Sequence, residues 1–172
     1  EHSIGFNNTL RQMNEEGHFT LRVYFHILRK TDESGGIGLE DIEISKGFLD
    51  AAFNPYNIFF QYECEVDYID NTDYYNSPIG AKCSLSVMNA HSDGIVIYIG
   101  ADNVGNGGEA GGTPSNYFVI TGSQSHFLLG ETPLSKSHVI AHEMGHCLGL
   151  WHTFFGFEGN PSAGCDNNTP NI

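Results

Sequence analysis

A chain of 172 residues, 40% hydrophobic and 12% aromatic, can bury one sizeable core and is too short for two full domains. With 21 acidic against 7 basic residues its net charge is -14, which repels phosphate backbones and anionic lipid surfaces, excludes nucleic acid as an expected partner, and suits solubility or the attraction of cationic substrates or calcium. No apolar run approaches the roughly 20 residues that span a bilayer, so no membrane insertion is expected.

The chain opens at Glu1 with no Met and no basic-then-apolar leader, so any targeting segment is expected either to have been removed or never to have been part of this sequence. Phe19 to Leu28 alternates apolar and polar residues and predicts a strand, with His26 on its more polar face. Leu39, Ile42, Leu49 and Phe53 share a helical stripe that ends at Asn54-Pro55, which predicts a backing helix. Ile58 to Ile69 returns to alternation and reads as one further strand. The continuous apolar run Gly94 to Gly100 predicts a strand covered on both faces, central in a sheet. Gly105 to Gly112 is rich in glycine and alanine and reads as a loop. Tyr117 to Thr121 predicts a short strand, and Ser135 to Leu148 a helix whose stripe Ile140, Met144, Cys147 and Leu148 faces a core. After Trp151 the chain turns rich in Gly, Asn, Asp and Pro, with no further periodic segment.

His142-Glu143-Met144-Gly145-His146 places two imidazoles four residues apart, one turn of helix, where both can reach one metal ion. A catalytic zinc site takes three protein ligands and keeps a fourth position open. Gly149 can end the helix in the left-handed conformation and turn the chain so that His152 returns to the same ion. The string H-E-x-x-H-x-x-G-x-x-H is the metzincin signature, with Glu143 as general base rather than ligand. Such a carboxylate deprotonates a water that zinc has acidified and later passes the proton to the leaving amine. A register using His138, His142 and Glu143 lacks the downstream glycine and histidine, and His2, His18, His91 and His126 have no ligand spacing and read as surface or loop residues.

The run from His142 to Phe154, and Gly-Leu-Trp-His-Thr-Phe within it, resembles the pappalysin family of metzincins, with weaker similarity through Val23 to Ile27, Leu39 to Phe53 and Asp93 to Ile97. The resemblance implies a metzincin-like α/β (α+β) fold: a mixed, mostly parallel twisted sheet with a backing helix and an active-site helix beside a horizontal cleft. An edge strand near Gly111 to Phe118 would pair with substrate. It implies a catalytic domain over 1–172, with an upper subdomain at 1–149 and the start of a truncated lower subdomain at 150–172. Metzincins carry a methionine turn beyond the third histidine, and neither methionine nor tyrosine follows His152 here. The lower subdomain is therefore expected to be largely missing and the chain to be a fragment of a longer enzyme.

Cys64 and Cys83 share a sheet-and-loop region where a disulfide would staple the stretch around Tyr74 to Ser77, while Cys147, on the helix, reads as a buried thiol. Cys165 resembles a pappalysin cysteine whose partner comes later; the rival pairing is Cys147 with Cys165. Asp166, Asn167 and Thr169 lie in a segment similar to one near which pappalysins bind calcium, although Asn168 stands where the family has aspartate; a plain turn is the alternative. The expectation is a monomeric zinc-dependent endopeptidase acting on extracellular proteins, secreted or periplasmic and from a bacterium. The alternative is a zinc-binding fragment or a catalytically inactive metzincin-like module.

Overall fold

The computed structural model describes residues 12–13, 17–63, 65–101, 107–121 and 133–153. In chain order its elements are β1 (Gln12–Met13), β2 (Phe19–Arg29), α1 (Leu39–Phe53), a 3-10 turn (Asn54–Tyr56), β3 (Ile58–Tyr62), β4 (Asp67–Asp70), α2 (Thr72–Asn76), α3 (Lys82–Leu85), β5 (Ile95–Gly100), β6 (Gly108–Ala110), β7 (Tyr117–Thr121) and α4 (Pro133–Cys147). The strands form one mixed sheet in the order β1-β2-β5-β7-β6, with β3 and β4 also paired to β2. Among the described strands, only β1 and β6 run antiparallel to their neighbours.

The predicted strand Ile58 to Ile69 is two strands laid end to end along β2. Tyr62 pairs with Val23 and Asp67 with His26, so two residues fall out of register between them. An even slip leaves every side chain on its original face, which is why the alternation in sequence runs through the break unmarked. The Gly105 to Gly112 stretch is corrected as well: it contains β6, supported by β7 on one side and by α4 above. A Cβ on Gly107 would stand 2.8 Å from Val139 Cγ2, so the missing side chain is what lets the helix pack directly on this backbone.

All six residues of β5 are buried, as its apolar run requires. On one face of the sheet Phe25, Ile27, Ile97 and Phe118 pack with Ile42 and Leu49 of α1 and with Ile140 and Met144 of α4. On the other face Leu28, Val96, Tyr98 and Val119 pack with Leu85 of α3. His26 belongs to this second layer at 1% exposure, not to a polar surface: Nδ1 lies 2.8 Å from Asp67 Oδ2 and the ring stacks on Tyr98. His91 is packed too, its ring stacked 3.5 Å from that of Tyr24, and the half-buried His18 lies against Phe59. His2 and His126 lie outside the described residues.

Candidate metal centre

Helix α4 lies across the first face, with Met144 and Cys147 in the core and His142 and His146 turned away from it. Its end is set by Gly149 at φ +94. Leu150 N–H donates to the Gly145 carbonyl and Gly149 N–H to the His146 carbonyl, both at 2.9 Å, the paired bonds of a Schellman cap. That reversal carries His152 back over the helix.

The three Nε2 atoms then converge, 2.9 Å apart between His142 and His152 and 3.0 Å from His146 to each of the others. His142 is exposed and the other two are half-buried, so the cluster opens to solvent. A triangle of this size lets one ion sit about 2.0–2.1 Å from all three nitrogens, the zinc–imidazole bond length, with further coordination free on one side. His146 Nδ1 lies 2.7 Å from the Leu150 carbonyl oxygen. A carbonyl only accepts, so Nδ1 carries the proton and Nε2 presents its lone pair to the cluster. Burial, reinforced by the two neighbouring imidazoles, lowers the pKa of His142 and favours its neutral, metal-binding form. These donors fit a metal ion, and among the described residues no other group of three such side chains does.

Glu143 is 6% exposed and sits beneath β6: a Cβ on Gly108 would stand 2.9 Å from Glu143 Cγ, and the Ala110 N–H donates to the carboxylate. Burial raises its pKa, while His146 and the Ala110 amide pull the other way. The carboxylate is thus held beside the imidazoles without joining them. The side chain of His138 lies outside the described residues.

The sheet edge above this site is β6. Tyr117–Thr121 lies inside the sheet, between β5 and β6, which moves the edge strand from the expected Gly111 to Phe118 to Gly108–Ala110. Cys147 is a free, buried thiol whose Sγ lies 3.4 Å from the Tyr117 carbonyl oxygen. Cys64, and with it the expected bridge to Cys83, lies outside the described residues, as do Cys165 and the calcium candidates Asp166, Asn167 and Thr169. Lys82 went unremarked in the sequence. It is 6% exposed and paired with Glu109, 27 residues later, a spacing that carries no signal until α3 and β6 meet.

No family model matches the chain. It is 26% identical over 171 aligned positions to a protein of Colletotrichum graminicola named an extracellular metalloprotease, an alignment covering 88% of this chain and 58% of that relative. The chain thus spans somewhat over half the relative's length, and its own three-histidine cluster could hold a metal ion.

Proposed function

We propose that the chain carries the catalytic site of a zinc-dependent endopeptidase of the metzincin class, within its pappalysin family, and that it acts outside the cell. The observation that carries this reading is the meeting of three Nε2 atoms within 3.0 Å of one another beside a buried carboxyl. The extracellular setting rests on the fungal relative's name, and the family on the Gly-Leu-Trp-His-Thr-Phe run. Residues 1–149 would form the upper part of the catalytic domain and 150–172 the start of the lower.

His142, His146 and His152 would hold the ion, which when bound supplies Lewis acidity toward a peptide carbonyl and toward water. Glu143 takes the proton of the attacking water and returns it to the leaving amine, and burial raises its proton affinity, the direction that favours this exchange. The outer edge of β6, last in the order of the described strands, borders the carboxylate and is where an extended peptide would lie. Zinc quantification with cleavage of a peptide library, with and without a chelator, tests the proposal. One zinc per chain with chelator-sensitive cleavage is expected; one zinc with no cleavage would favour the inactive binding module.

A further inference from the structure

Strand β6 is three residues long and flanked by Gly107, Gly111 and Gly112, a composition with little backbone stiffness of its own. Its bonds to β7 run through alternate residues: Thr121 N–H donates to the Gly107 carbonyl at 2.9 Å and Gly111 N–H to the Tyr117 carbonyl at 3.1 Å. By the alternation of an antiparallel pair, the amide and carbonyl of Ala110 therefore point away from β7. Both are engaged. The amide donates to Glu143 and the carbonyl accepts from Lys82 Nζ at 3.4 Å.

Lys82 reaches β6 from α3, whose Leu85 packs on the sheet face opposite α4, and its ammonium is ion-paired with Glu109. The strand is thus held from both faces, by Val139 and Glu143 on one and by Lys82 on the other. Withdrawing an ammonium from water is costly, and a buried pair adds little net stability over apolar packing. What such a pair supplies is geometry.

We propose that Lys82 is a positioning residue for the reaction: through Glu109 and the Ala110 carbonyl it holds β6 in the pose that brings Ala110 to Glu143 and sets the edge a peptide would border. The proposal rests on the peptidase reading, and its test separates the two. Wild-type cleavage with one zinc per chain tests the reading; comparison of variants with wild type tests the positioning.

Lys82→Met should keep one zinc and lose about 10- to 100-fold in kcat/KM, with kcat falling and KM rising together, while Lys82→Arg returns to within about threefold of wild type. Glu109→Gln, at a partly exposed side chain, should lose activity in the same direction, and the double variant should be no worse than Lys82→Met alone. Ile69→Ala, in the same apolar layer but on β4, destabilises without touching the clamp and should keep kcat/KM within about twofold. Independently of activity, amide hydrogen exchange in Lys82→Met should quicken across 107–111 and not in β5 or β7. Wild-type kcat/KM in Lys82→Met or Glu109→Gln, or unchanged exchange in β6, would overturn the proposal. So would a loss in Ile69→Ala matching that in Lys82→Met.

Discussion

If Gly149 aims the third imidazole, giving it a side chain should weaken metal binding without crowding anything. Gly149 sits at φ +94, and a methyl there would meet nothing nearer than Pro114 Cβ at 4.0 Å, so the cost of Gly149→Ala is backbone strain alone. For a residue with a Cβ in that region the strain is about 1–2 kcal/mol. In a domain of this size that lowers the melting temperature by roughly 2–8 °C. His152 reaches His142 and His146 through this turn, so whatever part of the strain the metal-free protein relaxes falls on zinc binding instead, and the two effects share one energy: zinc affinity weakens by up to about 5- to 30-fold. Gly145→Ala, one turn earlier, is the internal control. Its Cβ would stand 3.5 Å from Leu150 Cδ1, an ordinary contact, in a helix where exchanging glycine for alanine stabilises by up to about 1 kcal/mol. Chelator-competition titrations and thermal melts measure both effects. Unchanged zinc affinity and melting temperature in Gly149→Ala, or an equal loss in Gly145→Ala, would refute the role assigned to the helix end.

Glu143→Ala should retain one zinc and lower turnover by about 10²- to 10⁴-fold, whereas His146→Ala should lose both metal and activity; metal content and kcat on the same preparations distinguish base from ligand. Burial lowers the pKa of His26, so below the unfolded value of about 6.5 the unfolded chain binds the extra proton and acidification favours unfolding. Denaturant titrations across that window should show a steeper loss of stability toward acid in wild type than in His26→Asn, and identical slopes would contradict the assignment. Burial also raises the pKa of the Cys147 thiol, which should react with a disulfide reagent only under denaturing conditions. Rapid labelling of the folded protein would show that this part of the core opens.

Features set by neighbours in the chain were legible in the sequence. Helix α1 and strand β7 begin and end where their periodicity does, and the buried run of β5 marked a strand covered on both faces. His142, His146, Gly149 and His152 were readable for the same reason: helical spacing and one left-handed glycine bring three imidazoles together within eleven residues, with almost no help from the rest of the chain. Features set by distant partners were not. The break between β3 and β4 depends on their register against β2, and its even slip erased the signal. Strand β6 looked like a flexible loop because its glycines, which weaken a strand in isolation, are what allow α4 to pack onto it. His26 reads from the sequence only as lying on the strand's more polar face, because alternation along one strand cannot show that Asp67 and Tyr98, on β4 and β5, bury it there. The pairing of Lys82 with Glu109 exists only once α3 and β6 are brought together, so tertiary structure alone decided which charge stands behind the edge strand.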